Sequence, residues 1–381
     1  MSADLWLGSG SKVRLPPGLA GPHDRLVSHR LKRFARRLVR AGFRMTLLLT
    51  VVALAGTTYG AFHEQRQRAQ FPPPGRLVDV GDGQQVHVRT WGQRAPGSPA
   101  IILDVSAMMP STAFSWLARE LANDYHVVAY DRPGMGWSRG GSGPRDARAA
   151  ADALSRALVA AGIGPPYVVV GHSFGGLSAR VFAQAHRDDI VALVLLDTTH
   201  PDGGGGQWFG RFARSRALAG HLGLWQLLPR PPDDLAGLPA DDAPAALAVS
   251  LWTSHLDASA DELEAWDASV AQARGAGDFG DLPLLVAAAY GSDGQFEHQR
   301  DIARLSTRSE LADLRHLGHV QMLTDERQAA ELGGHIRRFL AKHASAGVLE
   351  PGGNTADGQV DQAQQALALR IGPVQAAQPG Q

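Results

Sequence analysis

The segment Tyr167–Gly176 has the residue types and spacing of an activated alcohol nucleophile. Its sequence, YVVVGHSFGG, places Ser173 in a Gly-x-Ser-x-Gly pattern between an apolar run and a helical pattern. A serine on so sharp a strand-to-helix turn needs glycine two residues before and two residues after it, because larger side chains would collide there. The turn lifts the hydroxyl above the end of a sheet, where the N–H groups of the following helix also point. This context predicts a nucleophile and argues against a chance match in a glycine-rich chain.

A base that takes the proton of this nucleophile is expected after the last strand of the sheet. His319 lies in a loop between a strand-like run at Glu310–His316 and a helical pattern at Asp325–Leu340. A histidine in such a loop can reach over the sheet to Ser173 and act as the general base. His316 is the neighbouring candidate, but the position after a glycine and before the terminal helix favours His319.

Two aspartates compete to orient that histidine. Asp293 follows the predicted strand Pro283–Ala288 and leaves room for one helix and one strand before His319. Asp197 ends the earlier strand Val191–Leu196, whose end faces the same edge of the sheet. Either position suits an acid that lies between the nucleophile and the base along the chain. We prefer Asp293, because the strand after the long helical segment is the commoner source, and the other aspartate would then be an ordinary turn cap.

The chemistry also needs backbone N–H groups that meet the negative charge on an attacked carbonyl oxygen. The N–H of Phe174, directly after the nucleophile, is the first candidate. The second is expected in the loop after the strand Ala100–Val105, where Ala107 is the candidate. That loop reads Ser106-Ala107-Met108-Met109 and lacks the glycines that let a backbone approach a substrate closely. A bulky methionine there would narrow the pocket or weaken catalysis.

These residues require a sheet whose strand ends bring them together. From Arg76 onward, short apolar runs alternate with amphipathic helical patterns. Runs that are apolar throughout suit strands buried on both faces of a parallel sheet, and the alternation predicts a doubly wound α/β domain. The first two strands, joined by Gly81-Asp82-Gly83, predict an antiparallel start. The predicted strands are Leu77–Val80, Gln85–Trp91, Ala100–Val105, His126–Tyr130, Tyr167–Val170, Val191–Leu196, Pro283–Ala288 and the run Glu310–His316.

One long segment interrupts this alternation. About 80 residues from His200 to Asp281 contain no convincing strand, which is too many for a plain loop in a compact domain. Their apolar residues recur at helical spacing, so we predict an inserted helical lid over residues 200–281. The lid's tryptophans indicate either an apolar substrate or a packed core of the lid itself. They are Trp208, Trp225, Trp252 and Trp266.

An apolar segment near the N-terminus predicts a membrane anchor. Met45–Phe62 carries no charge, and a helix of that length spans roughly 27 Å, which just crosses a hydrocarbon core. The basic stretch Ser28–Arg44 before it predicts a cytoplasmic N-terminus and a single-pass protein whose catalytic domain lies outside. A cleaved signal peptide, with a site after Ala55, and a buried helix of the domain are the alternatives.

Composition and the flanking segments complete the predicted organisation. We predict a disordered basic leader at 1–44, a stiff proline-containing linker at 63–75, a catalytic domain at 76–345 and a disordered tail at 346–381. The chain has no cysteine, which excludes disulfides, thiol catalysis and Cys-ligated zinc. Its 37 basic and 37 acidic residues balance, so nothing favours a nucleic-acid partner.

Four motifs occur together in this chain. They are YVVVGHSFGG, YDRPGMGWS at Tyr130–Ser138, DTTHP at Asp197–Pro201 and GHVQ at Gly318–Gln321. Over about 71–345 the chain thereby resembles the α/β-hydrolase superfamily, and more narrowly its membrane-anchored bacterial members with an aromatic-rich lid. The resemblance implies an α/β-hydrolase fold, with a mostly parallel eight-stranded sheet flanked by helices and an inserted helical lid. It also implies hydrolysis of esters or related acyl compounds without a cofactor or a metal. The chain departs from the family in the loop at Ala107, where similar sequences usually carry small glycine-rich turns.

The sequence therefore predicts a serine hydrolase that cleaves a small, apolar acyl compound through an acyl-enzyme on Ser173. A serine nucleophile argues against dehalogenase and epoxide hydrolase chemistry, which use a carboxylate there. One alternative is other Ser-His-acid chemistry, such as amide or carbon–carbon bond cleavage or cofactor-free peroxidation. The other is a catalytically weak protein whose lid binds an apolar ligand. The methionines beside Ala107 motivate the second alternative, whereas Ser173 and His319 argue against it.

Overall fold

The computed structural model describes residues 22–141, 143–227, 234–289 and 291–345. Eight strands form one sheet. They are Arg76–Asp79 (β1), Gln85–Trp91 (β2), Ala100–Asp104 (β3), His126–Tyr130 (β4), Tyr167–His172 (β5), Ile190–Leu196 (β6), Leu284–Ala288 (β7) and Ser309–Asp313 (β8). Their order across the sheet is β1-β2-β4-β3-β5-β6-β7-β8.

The sheet is parallel except at one edge. The β1–β2 and β2–β4 pairs are antiparallel, and every other neighbouring pair is parallel. Alternate residues of the central strands enter two different core clusters. In β5, for example, Val169 packs in one cluster and Val168 in the other. Both faces are therefore buried, which explains why these strands are apolar throughout. The predicted fold class is confirmed.

Helices cover the two faces of the sheet. The helices are Pro22–Gln70 (α1), Ser115–Leu121 (α2), Ala147–Ala161 (α3), Gly175–Ala185 (α4), Gly206–His221 (α5), Ala243–Val249 (α6), Thr253–Glu264 (α7), Trp266–Gly275 (α8), Asp293–Ala303 (α9), Gln321–Thr324 (α10) and Glu326–Ser345 (α11). Residues of α3, α4 and α8 share one core cluster, and residues of α2 and α11 share the other. Helices α5 to α8 all lie between β6 and β7, so the segment that the sequence analysis described as a lid is helical.

The chain divides into two compact units, with the boundary between Tyr59 and Gly60. Helix α1 contains a segment that is long and apolar enough to cross a membrane by length and composition. The helix also includes residues 22–44, which the sequence analysis assigned to a disordered leader, and residues 63–70 of the predicted linker. Both assignments are corrected, because arginine, glutamine, leucine and alanine in these stretches are strong helix formers. Residues 1–21 of the leader and the predicted tail lie outside the described residues.

Candidate active site

Strand β5 runs directly into the turn that carries Ser173, and helix α4 begins two residues later. Ser173 has a φ of 53°, in the left-handed region that residues other than glycine rarely occupy. A Cβ at Gly171 would lie 2.7 Å from the Cβ of Ala179. A Cβ at Gly175 would collide with the backbone carbonyl of Asp104, at the end of β3. The two glycines therefore allow the strand, the helix and the loop after β3 to meet at this turn.

Ser173, His319 and Asp197 form one hydrogen-bonded chain. Nε2 of His319 lies 3.1 Å from Oγ of Ser173, and its Nδ1 lies 2.5 Å from Oδ2 of Asp197. Because the Asp197 carboxylate is an acceptor, Nδ1 of His319 carries the proton and donates it. Nε2 is then free to accept the proton of the serine hydroxyl. In this arrangement a histidine acts as a general base towards a serine.

The strand order explains why Asp197 reaches His319. Strands β5 and β6 are parallel neighbours, and the register pairs His172 with Leu196, so Ser173 and Asp197 follow the same end of adjacent strands. The N–H of Asp197 donates to the carbonyl of Ala287 in β7 at 2.7 Å. This backbone bond and the left-handed φ of 39° at Asp197 fix the point from which its carboxylate extends.

Asp293 does not take part in the hydrogen bonds between Ser173, His319 and Asp197. The preference for Asp293 over Asp197 as the acid is therefore corrected. Asp293 is the first residue of α9 and follows the capping residue Ser292. Its side chain is 99% exposed and accepts a hydrogen bond from Arg315 at 2.9 Å. A residue in the first turn of a helix beyond β7 points to solvent here, whereas a residue directly after β6 is held at the sheet edge. His316 is also exposed, and its Nε2 lies 2.8 Å from Glu331.

His172, which precedes Ser173, holds the backbone of His319. Its Nε2 lies 2.8 Å from the backbone carbonyl of His319 and donates to it. The two rings also pack together, with centroids 4.8 Å apart. Burial, reinforced by the neighbouring His319, lowers the pKa of His172 well below its ordinary value. His172 is therefore neutral at pH 7, and its single N–H is used to hold the His319 backbone.

The loop after β3 carries Ala107, and Arg132 holds the loop by its carbonyl groups. Nη1 of Arg132 donates to the carbonyl of Val105 at 2.7 Å, and Nη2 donates to that of Ser106 at 3.2 Å. The Ser106 carbonyl and the Ala107 N–H belong to one planar trans peptide and point in opposite directions. Arg132 therefore fixes the direction of the Ala107 N–H and, as a cation, polarises that amide towards donation. The N–H of Phe174 lies at the start of α4, where helical N–H groups have no partner within the helix.

Arg132 belongs to a buried cluster of charged side chains. Its guanidinium lies 2.6 Å from Asp104 at the end of β3 and 2.5 Å from Glu262 of α7. The hydroxyl of Ser178 donates to the other oxygen of Asp104. Burial alone would lower the pKa of Arg132, but the carboxylates of Glu262 and Asp104 outweigh burial and raise this pKa. A charged Arg132 thus joins a lid helix to the loop that carries Ala107.

A second lid residue, His255 of α7, holds the same loop. Its Nε2 donates to the carbonyl of Met108 at 3.0 Å, and its Nδ1 accepts from the N–H of Gly136 at 3.0 Å. Burial lowers the pKa of His255 to about 4, so the ring is neutral at pH 7 and can donate and accept at once. Met108 has a φ of 64°, a conformation that needs such support in a residue other than glycine.

The lid tryptophans have different surroundings. Trp252 is buried in a small cluster with Trp137, and the indole N–H of Trp225 donates to the carbonyl of Arg216. Trp266 packs against Phe174, with ring centroids 5.6 Å apart. Trp208 is exposed. Trp266 therefore contacts a residue of the candidate site.

Four residues of the site were missed by sequence reasoning. Arg132 and His172 lie inside the motifs YDRPGMGWS and GHSFGG, and their place there was the available indication. His255 and Glu262 carried no indication, because their partners depend on how the lid helix docks on the sheet edge.

Comparison with known proteins identifies the family. Residues 95–332 match the model of the alpha/beta hydrolase family. The chain belongs to this family. The enol-lactonase from Burkholderia xenovorans LB400 is similar in structure, with 20% identity and a TM-score of 0.56 over 69% of this chain and 99% of that chain. A thermophilic esterase from Thermogutta terrifontis has 19% identity and a TM-score of 0.53 over 70% of this chain and 98% of that chain. At these identities the likeness shows the fold.

Sequence relatives cover a smaller part of this alpha/beta hydrolase. The protein YbdG from Bacillus subtilis is 24% identical over 159 residues, which are 41% of this chain and 48% of YbdG. The chain spans less than half the length of the curated relatives that it matches. Family membership supports a hydrolase, and the choice of bond and substrate has to be argued from the site.

Proposed function

We propose that this alpha/beta hydrolase is a serine hydrolase that cleaves an ester or a related acyl compound through an acyl-enzyme on Ser173. The observation that carries the proposal is the chain from Asp197 through His319 to Ser173, with distances of 2.5 and 3.1 Å, at the ends of adjacent strands. A neutral histidine donates to the acid and accepts from the alcohol, which is the protonation state that the first step needs.

The proposed reaction has two stages. In the first, His319 takes the hydroxyl proton as Ser173 attacks the acyl carbonyl, and the N–H groups of Phe174 and Ala107 stabilise the oxyanion. Collapse of this intermediate breaks the bond to the leaving alcohol, which receives the proton from His319. In the second stage, His319 takes a proton from a water molecule as that water attacks the acyl-enzyme. The bond between the acyl group and Ser173 then breaks, His319 returns the proton to the serine oxygen, and the acid is released. Asp197 stabilises the imidazolium in both stages.

The lid and the oxyanion loop favour a carboxylesterase-like activity. Arg132 and His255 together hold three carbonyl groups of the loop, those of Val105, Ser106 and Met108, so the methionines beside Ala107 lie in a supported backbone. This support argues against a catalytically weak binding protein. The packing of Trp266 on Phe174, the residue after Ser173, supports the proposal of an apolar acyl group.

Turnover of model esters tests the proposal. The full chain in detergent micelles should hydrolyse short and medium p-nitrophenyl esters, and Ser173→Ala should lose at least roughly 10³-fold in kcat/KM. Ser215→Ala, on an exposed position of the lid, is the matched control and should keep the activity. Wild type that folds but hydrolyses no ester of the panel would refute the esterase, and amide and carbon–carbon substrates would then be assayed.

We further propose that the segment Met45–Phe62 anchors the protein in a membrane, with the hydrolase unit outside. Its apolar side chains, such as Leu48 and Leu54, are exposed, which is unfavourable unless lipid surrounds them. The basic stretch before it supports a cytoplasmic N-terminus. Since the chain has no cysteine, an Asn123→Cys variant should react in intact cells with a membrane-impermeant thiol reagent. Reaction only after lysis would contradict the orientation.

A further inference from the structure

The exposed apolar side chains of the hydrolase unit are concentrated in one part of the lid. Among the described residues from Gly60 onward, the large apolar side chains that are exposed belong to Phe62 and to residues 208–227. In α5, Trp208 is 63% exposed and Leu218 is 60% exposed. We call this set the apolar lid surface, and its members are Trp208, Phe209, Phe212, Leu218, Leu224 and Leu227.

Helix α5 buries small residues and exposes several large apolar ones. Its buried side is made of small residues, namely Gly206, Gly210, Ala213, Ala217 and Gly220. Its exposed side carries large apolar side chains between polar residues such as Arg211 and Ser215, with the rings of Trp208 and Phe212 stacked at a centroid distance of 5.4 Å. A helix that faced water would bury its large apolar residues and expose polar ones. The arrangement of α5 is favourable where the outer side meets an apolar or interfacial medium.

The lid is attached to the last part of α1, at the end of the apolar segment and just after it. A Cβ at Gly60 would lie only 2.9 Å from the Cα of Gly223, so the two backbones are in contact beside Leu224. Glu64 accepts hydrogen bonds from the backbone N–H and the hydroxyl of Thr253, at 2.9 and 3.0 Å. Arg68 donates to Ser254 at 2.9 Å. The lid is thus fixed to Gly60, near the end of the apolar segment, and to Glu64 and Arg68, which follow the segment within two helical turns.

We infer that the apolar lid surface lies on the bilayer in which Met45–Phe62 is anchored, and that the substrate is an acyl compound dissolved in that bilayer. The inference rests on the proposed hydrolase activity and on the proposed anchor. If Phe62 ends the membrane-spanning part, Glu64 lies roughly 3 Å further along the helix axis, at the interface. The lid residues bonded to Glu64 are then at the interface too. Tryptophan and other aromatic rings are the side chains that this zone favours.

A row of aromatic rings connects this surface with the nucleophile. Phe209 belongs to the lid surface and stacks on Trp266, with ring centroids 5.7 Å apart. Trp266 packs on Phe174, the residue after Ser173, with centroids 5.6 Å apart. The Phe174 ring is buried, so the row is a packed contact between the lid surface and the residue next to Ser173. The apolar lid surface is thereby joined to the proposed site by direct aromatic packing.

The position of the lid relative to lipid is tested with single-cysteine variants, because the chain has no cysteine of its own. Phe212→Cys in the full chain, in a Ser173→Ala background, is labelled with a fluorophore and reconstituted into vesicles of phosphatidylcholine and phosphatidylglycerol. Asn123→Cys is the matched control, because Asn123 precedes the start of β4 and lies at the sheet edge opposite Ser173. Leu54→Cys reports whether the anchor itself is in lipid.

We expect spin-labelled lipid to quench the fluorophores at positions 212 and 54, and water-soluble iodide to quench that at position 123. Quenching at 54 but not at 212 would overturn the docking of the lid and leave the anchor intact. Iodide quenching at all three positions would overturn both. None of these outcomes depends on catalysis, so failure of the proposed hydrolase activity is detected separately by the ester assay.

The substrate class is tested with two esters. A combined Trp208→Ser, Phe212→Ser and Leu218→Ser variant should hydrolyse a long-chain ester in vesicles about tenfold more slowly, since three apolar contacts with lipid are lost. Its turnover of a water-soluble short ester should stay within about twofold of wild type, because the changed side chains are exposed. Equal turnover of the vesicle ester by variant and wild type would overturn the inference, as would an equal loss on both esters.

Discussion

The sheet edge and the lid contribute to this site in different ways. At the sheet edge, Ser173 and Asp197 each follow directly on a strand, and the parallel pairing of these strands brings them together. The lid contributes Glu262, which binds Arg132, and His255, which binds the Met108 carbonyl in the loop after β3. The positions of Ser173 and Asp197 are thus determined by local turns and strand order. The loop that carries Ala107, which we propose as part of the oxyanion hole, is held by buried polar contacts with the lid. Each of the following predictions separates these two contributions.

The largest effect is expected at the sheet edge, from loss of the acid. Asp197→Asn should lower kcat/KM for a model ester by roughly 10⁴-fold, because an amide no longer holds His319 in the required tautomer. Asp293→Asn is the matched control and should stay within about twofold of wild type, since its side chain faces solvent. Steady-state kinetics of the two variants decide between the candidate acids. The reverse pattern would show that Asp293 orients the base.

The next effect concerns the contact between the lid and the loop. Arg132→Met should lower the free energy of unfolding by about 3–4 kcal/mol, because two buried carboxylates, Asp104 and Glu262, lose their cation. Urea unfolding measures this loss, with Arg304→Met as an exposed control that should change little. Glu262→Gln, a milder variant that keeps the shape, should fold and should lower kcat more than it raises KM. Unchanged kcat in folded Glu262→Gln would contradict a role for the lid in positioning Ala107.

The stability of the lid contact should depend on pH through His255. Its pKa falls from an unfolded value near 6.5 to about 4 on folding, so the unfolded chain binds the proton more tightly. The contribution of neutral His255 to the free energy of unfolding is therefore fully present above pH 6.5. It is lost as the pH falls towards 4, by about 3 kcal/mol in total. Urea unfolding of wild type and His255→Asn between pH 7 and pH 4 should give a steeper acid loss for wild type. Parallel curves would show that His255 does not carry this dependence.

The smallest effect is expected from the support of the base. His172→Phe removes the donor to the His319 carbonyl and keeps an aromatic ring in the same place. We expect kcat to fall by about tenfold, which corresponds to one lost hydrogen bond. His316→Phe, at an exposed position, should leave kcat unchanged. If both variants had wild-type kcat, the His172 contact would be structural only.

The fold and the reacting pair were predictable because they rest on local patterns. Apolar runs predicted the strands, and Gly171 and Gly175 around Ser173 predicted the turn. The sequence did not distinguish the two candidate acids, because Asp197 and Asp293 both follow apolar strands. Only the register beside β5 and the solvent exposure of Asp293 distinguish them.

The predicted linker at 63–75 differs from the structure at residues 63–70 for a related reason. Its three prolines, Pro72 to Pro74, indicated an extended segment, but proline constrains only itself and the residue before it. The residues up to Gln70 are good helix formers and continue α1. The contacts of Glu262 and His255 had no local pattern at all, since they pair residues more than a hundred positions apart.

Covalent labelling tests directly whether Ser173 is an activated nucleophile. The full chain is treated with a fluorophosphonate, and the intact mass and the modified peptide are determined for wild type and Ser173→Ala. We expect one adduct on Ser173 in wild type, slower labelling in Asp197→Asn and no adduct in Ser173→Ala. An adduct on another serine, or none in folded wild type, would contradict an activated nucleophile at this turn.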